Sequence, residues 1–253
     1  MSRKNTARLT RIIERNSINS REISIASQLS LEIIVDGPDG TGKTTLNSLI
    51  YGQLITEADT KIVDEADNDP FAQARSEYKK SNSTDPLVLL MSKCAGRLES
   101  IRRTKRELEE KMIRLHERGY GTTAAEYLAS TIGNGYSQPK ACIKFDEFKA
   151  VFDRMKKTYL IPDLHLILDC EPNTASERIA SRYREQHVRP TDSESPLSIR
   201  TVRGYFLAIA DLIPNVYIIN TTEKTKDEVA KEAIELIKAM PKYQQIKSAR
   251  TRE

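Results

Sequence analysis

Apolar residues along this chain follow two rhythms. Short apolar runs at residues 31–35, 112–116, 164–170 and 216–220, with a shorter one at 61–65, read as strands, and 164–170 is continuous enough for burial on both faces. Between them apolar residues recur at spacings of three and four. Leu46, Ile50 and Leu54 mark a helix over 44–54, and Leu87, Leu90, Met91, Cys94, Leu98 and Ile101 a long one over 85–110. Further helices are predicted over 122–132, 174–184, 197–213 and 226–240. Phe145, Phe148, Phe152, Met155 and Tyr159 form an aromatic stripe that reads as core. Gly133-Asn134-Gly135 and Pro162-Asp163 are stops. Residues 1–30 read as a loosely held polar helix, 72–83 as a charged mobile stretch and 187–196 as a polar loop. Strands alternating with helices predict an α/β domain, a parallel sheet with helices on both faces.

One junction between the rhythms carries chemistry. The apolar strand runs through Gly37, Pro38, Asp39, Gly40, Thr41 and Gly42 into Lys43, Thr44 and Thr45, which satisfies G-x-x-x-x-G-K-[ST]. In such a loop backbone N–H groups cradle phosphates, the lysine reaches the β/γ oxygens and the hydroxyl of the following residue meets Mg²⁺. A helix beginning at Lys43 also points its free N–H groups at the anion. Asp69-Pro70 follows the second strand and Glu117-Arg118-Gly119-Tyr120 the third, so both reach the carboxyl edge of the sheet, where ligands of open α/β sheets bind. Arg118 next door favours an ionised Glu117, suited to a metal or acceptor contact. His116 should point to the other face as a packed core histidine. Arg97 lies beside the stripe of the long helix, and Arg178 and Arg182, four apart, share a face that would close over phosphates and exclude water.

Composition narrows the setting. With 253 residues the chain can bury a full core without staples. Cys94, Cys142 and Cys170 show no metal-ligand spacing and fit a reducing, cytoplasmic compartment, a host's cytoplasm if the chain is viral. No stretch reaches the ~18 apolar residues of a membrane span. The net charge of +4 is uneven: residues 1–22 carry +4, residues 238–253 another +4, and the body between them −4. The basic ends either keep the protein soluble or hold a nucleic-acid backbone.

The order of motifs resembles the thymidylate kinase branch of the nucleoside and nucleotide kinases over about residues 31–240, most closely in residues 37–44, Glu117-Arg118-Gly119-Tyr120, Pro162 through Asp169 and Ser176-Glu177-Arg178-Ile179. The resemblance implies a P-loop three-layer sandwich with five parallel strands in the order 2-3-1-4-5, a lid near 178–196, ATP as donor and Mg²⁺ as cofactor. It implies phosphate contacts along Gly37–Thr45, metal contacts at Thr44 and Glu117, and catalytic roles for Lys43, Glu117, Arg118, Arg178 and Arg182, with Arg184 and Arg189 also in the lid. Asp39, Asp69, Arg97 and Tyr120 would hold the acceptor, Arg97 reading a pyrimidine. It also suggests a homodimer through the long helix. Departures are Phe71-Ala72 where the family has a glycine pair, Glu117 in place of the commoner aspartate, an unusual lid at 185–191, and the two basic ends. Three readings follow: transfer of the γ-phosphate to a thymidine-type nucleotide, dTMP to dTDP; phosphorylation of 5-hydroxymethyluracil in DNA by a phage-type modification enzyme, with the tails on DNA; or a DNA-associated P-loop ATPase that is not a kinase, in which Leu168-Asp169 would supply the Mg²⁺-holding aspartate.

Overall fold

A computed structural model describes residues 29–63, 69–80, 85–104, 110–132, 146, 149–150, 161–186 and 194–250. Five strands, β1 (Leu31–Asp36), β2 (Thr60–Val63), β3 (Ile113–Glu117), β4 (Leu164–Asp169) and β5 (Val216–Asn220), form one parallel sheet in the order β2-β3-β1-β4-β5, as expected. Ile33 of β1 pairs with Leu115 of β3 and Leu164 of β4, so the centre of the sheet is apolar on both sides of β1.

The faces differ. On one, Leu31, Ile33, Val35, Leu115, Leu166 and Ile219 pack against α1 (Lys43–Leu54), α7 (Lys226–Lys238) and α8 (Pro241–Arg250). On the other, Ile34, Ile167 and Val216 meet α3 (Pro86–Thr104), α4 (Tyr120–Ile132) and α6 (Pro196–Ile209). Strand alternation puts Glu32 and Arg114, opposite each other in register, on this second face, where both are buried and His116 Nε2 lies 2.6 Å from Glu32 Oε2. His116 therefore faces away from the phosphate loop as expected, but it partners a buried carboxylate and is not an apolar core residue. Two further helices are the short α2 (Ala72–Lys79) and α5 (Pro172–Gln186), and a 3₁₀ turn (Ala210–Leu212) ends α6.

Several expectations need correction. Residues 72–79, read as mobile, form α2, whose Arg75 binds Asp69 and the Ser92 carbonyl of α3. Among the described side chains of the predicted stripe in α3, Leu90 and Cys94 are buried. Leu87 and Met91 are 39% and 52% exposed, because α4 and the sheet cover one edge of the helix. The helix predicted over 226–240 stops at Lys238. Pro241, which lacks an N–H to donate, opens α8 from residues read as a basic tail. The aromatic stripe at 145–159, the N-terminal extension up to residue 28 and the lid residues 187–193 with Arg189 lie outside the described residues. Among the described residues no helix is long and apolar enough to cross a membrane.

Candidate active site

The phosphate loop joins β1 to α1. Gly40 adopts φ +78°, and a β-carbon there would stand 2.5 Å from the Ala175 carbonyl of α5, so only glycine fits. At Gly42, also left-handed at φ +97°, nothing lies within 4 Å of that point. It opens into a cleft of about 670 Å³ lined by Asp39 through Leu46, by Glu117 and Arg118 at the end of β3, by Arg178 and Arg182 of α5, and by Thr221, Lys224 and Lys226 after β5. Lys43 is buried and donates to the Pro38 carbonyl at 2.8 Å, with Asp39 Oδ1 at 3.4 Å. Burial and the nearby charge of Arg118 pull its ammonium below the usual lysine range.

Glu117 faces the α1 side of the sheet and accepts a 2.8 Å hydrogen bond from Thr44 Oγ1, which brings the two candidate metal contacts together. Arg118 takes the left-handed conformation (φ 68°) that non-glycine residues rarely adopt. Its N–H binds the Val35 carbonyl at 3.0 Å and its guanidinium binds Asp39 at 2.8 Å and Glu126 at 3.4 Å. Burial would raise the Asp39 carboxyl, but Lys43 and Arg118 hold it below the ordinary range. Arg97 reaches the same turn from α3, donating to the Arg118 carbonyl at 3.1 Å and Thr123 Oγ1 at 3.0 Å.

Other candidates are placed differently. Asp69 lies against Gly96 of α3, one residue before Arg97, and is gripped by Arg75. Tyr120 is buried, its ring edge-on to His165 at 5.2 Å, so its side chain joins the core beneath the turn and does not line the cleft. Arg178 reaches across to the Thr221 carbonyl at 2.7 Å. Arg182 and Tyr183 both bind Glu194, at 2.5 and 2.6 Å, which ties α5 to the start of α6. Among the described residues Arg184 bonds within its own helix, to the Ala180 carbonyl and Ser181 Oγ. Asp169 is held by Arg203 at 2.6 and 3.2 Å, so that carboxylate serves an ion pair with α6. Sequence reasoning did not single out Thr221, Lys224 or Lys226. Their position just beyond the carboxyl end of a predicted strand was the available signal.

A family model described as thymidylate kinase matches residues 35–233, well over half of the chain. The chain belongs to the thymidylate kinase family. A probable thymidylate kinase of Pyrobaculum aerophilum is 28% identical over 212 residues, covering 83% of this chain and 98% of that protein. One of Sulfolobus acidocaldarius is 26% identical over 208 residues, covering 81% and 95%. Among solved structures, thymidylate kinase from Candida albicans superposes with a TM-score of 0.65 at 21% identity, covering 84% of this chain and 93% of that one. The enzyme from Ehrlichia chaffeensis gives 0.54 at 20%, covering 82% and 98%. Membership of the thymidylate kinase family makes the protein an ATP-dependent nucleotide kinase. Neither a DNA-modifying role nor a phage origin, both raised by the sequence, is borne out by these matches.

The donor set suits a hard divalent cation. Thr44 and Glu117 present oxygens side by side at the phosphate loop, the one or two protein ligands that Mg²⁺ takes beside substrate phosphates. Among the described residues no cluster of three or more His, Cys, Asp or Glu offers an all-protein metal cage.

Proposed function

We propose that this kinase moves the γ-phosphoryl group of ATP to a pyrimidine deoxynucleoside monophosphate, most simply dTMP to give dTDP, with Mg²⁺ held by Thr44 and Glu117. One observation carries the reading: Asp39 of the phosphate loop and Arg97 of α3 meet on the same residue, Arg118. The residues that the resemblance assigns to the phosphates, to the acceptor and to its base are thus linked through one turn, which supports a mononucleotide acceptor. Phosphoryl transfer asks the protein for positioning and for stabilisation of charge spread over the transferred oxygens. Lys43 and Arg118 supply positive charge, and Asp39 aligns both. Mg²⁺ held by Thr44 and Glu117 would supply positive charge against the negative charge that develops on the phosphates. Arg178 and Arg182 of α5 also line the cleft and fit the donor side.

The DNA-directed reading loses part of its motive in α8, whose Lys242, Lys247 and Arg250 bind Asp163, Glu57 and Asp59 of the same chain. The test is transfer of labelled γ-phosphate from ATP·Mg²⁺ to a panel of dTMP, dUMP, thymidine, plain duplex DNA and duplex DNA bearing 5-hydroxymethyluracil. Label should appear on dTMP and vanish with Lys43→Ala. Label on modified DNA alone, or in free phosphate alone, would overturn the assignment.

A further inference from the structure

Beneath the catalytic turn lies a fully buried polar cluster that no step above has used. Asp36 ends β1, immediately before the phosphate loop, and alternation sends its side chain to the sheet face opposite α1, where it is 0% exposed. Four donors converge on its two oxygens. The Gly119 N–H reaches Oδ1 at 2.8 Å, and the Thr122 hydroxyl binds the same oxygen. The Thr122 N–H reaches Oδ2 at 3.3 Å, and His165 Nε2, from the neighbouring strand β4, lies 2.7 Å from Oδ2. His165 is also fully buried, with Tyr120 edge-on to its ring. An ionised carboxylate only accepts hydrogen bonds, so the imidazole carries its proton on Nε2.

The Gly119 amide immediately precedes α4 and the Thr122 amide lies in its first turn, where backbone N–H groups have no partner within the helix. Asp36 therefore caps α4 from another element, and its charge complements the positive end of the helix. Burial would raise the Asp36 carboxyl, but His165, the Thr122 hydroxyl and the Gly119 N–H outweigh it and hold the carboxyl well below the usual carboxylate range. What this cap fixes is the turn directly before α4: Glu117, which meets Thr44, and the left-handed Arg118, which meets Asp39.

We propose that Asp36, oriented by His165, is a positioning residue for phosphoryl transfer, locking the Glu117–Arg118 turn to the phosphate loop so that both side chains keep their places as charge develops. The carboxylate touches no reacting atom. It connects the strand that ends in the phosphate loop with the helix that begins after the catalytic turn, so a shift of either is transmitted to the other. The inference concerns the phosphate end of the site, common to every acceptor, and does not depend on the acceptor being dTMP.

Misplacement of catalytic groups by about 1 Å can cost as much as 100-fold in rate, and loss of an interaction that matters in the transition state appears in kcat. Asp36→Asn should therefore lower kcat about 10-fold or more while KM for ATP stays within about twofold, in protein that still unfolds cooperatively. Thr122→Val, which keeps the shape and removes one donor, should lower kcat in the same direction by a smaller factor and guards against an Asp36 variant that fails to fold. His165→Leu should also lower kcat, and His165→Gln, whose amide can donate from nearly the same point, should restore most of it. Amide hydrogen exchange at Gly119 and Thr122, which needs no acceptor, should speed up in Asp36→Asn and His165→Leu and recover in His165→Gln. Folded variants with kcat within about twofold of the parent, whether or not their melting temperature falls, would overturn the proposal, as would a rise in KM at unchanged kcat. All kinetics use whichever acceptor the unmodified chain phosphorylates in the panel above, so an error about dTMP shows in the parent and an error about Asp36 shows only in the variants.

Discussion

Thr44 and Arg97 work at single-residue scale, and each makes a separable forecast. The Thr44 hydroxyl is 2.8 Å from Glu117 at the mouth of the phosphate loop. Thr44→Ala should raise the Mg²⁺ concentration needed for half-maximal rate and lower kcat by about 10²-fold, the scale of one lost electrostatic contact in a transition state, and a Mg²⁺ titration of the rate checks it. Arg97 uses two different faces of its guanidinium, Nε on Thr123 and an η nitrogen on the Arg118 carbonyl. Arg97→Lys keeps the charge but cannot fork in this way. It should raise KM for the acceptor nucleotide and leave KM for ATP unchanged, as steady-state kinetics with each substrate varied will show. The phosphate loop was legible because its chemistry is local: glycines, a lysine and a hydroxyl in fixed sequence. Asp36 was not, since an acid closing an apolar run reads as the end of a strand until Gly119, Thr122 and His165, 83 to 129 positions away, are brought to it. The burial of Tyr120 was not legible either: Glu117 and Arg118, just before it, line the cleft, but as the first residue of α4 it turns inward.

At the scale of elements, strand positions and their order followed from apolar runs and the family resemblance, with boundaries off by one or two residues where runs met turns. The helix closing the chain was missed because its charge dominated the pattern. Only Tyr243 and Ile246, three apart, pack against the core, and both are buried. Ile246→Ala should cost about 2–4 kcal/mol of unfolding free energy, measurable by urea denaturation. Glu57, after α1, is the polar anchor of α8. It binds Lys238, Tyr243 at 2.9 Å and Lys247 at 3.0 Å, and these bonds pull its carboxyl down to about 2. A carboxyl that is more acidic folded than unfolded stabilises the fold above its ordinary value of about 4.3 and loses that contribution as pH falls towards 2. Glu57→Gln should flatten the fall in stability between about pH 4 and pH 2, as thermal melts across that range would show.

Across the whole molecule, the sheet order and the family were readable from the sequence, whereas the destination of the charge was not. A net charge of +4 with basic ends suggested a partner bearing phosphates, but charge counted along a chain says nothing about which acids lie beside it once folded. Lys242→Ala with Lys247→Ala should lower the melting temperature and leave retention on duplex DNA unchanged, which a salt-gradient binding assay would record. The docking of α8 also changes what the alkaline isoelectric point of about 8.8 means. On this side of the molecule the surplus of base is a fastening, clamped on Glu57, Asp59 and Asp163. A chain ending at Met240 would therefore be both looser and more acidic, with Glu57 and Asp163 each stripped of a cation, and it should migrate towards the anode relative to the intact protein.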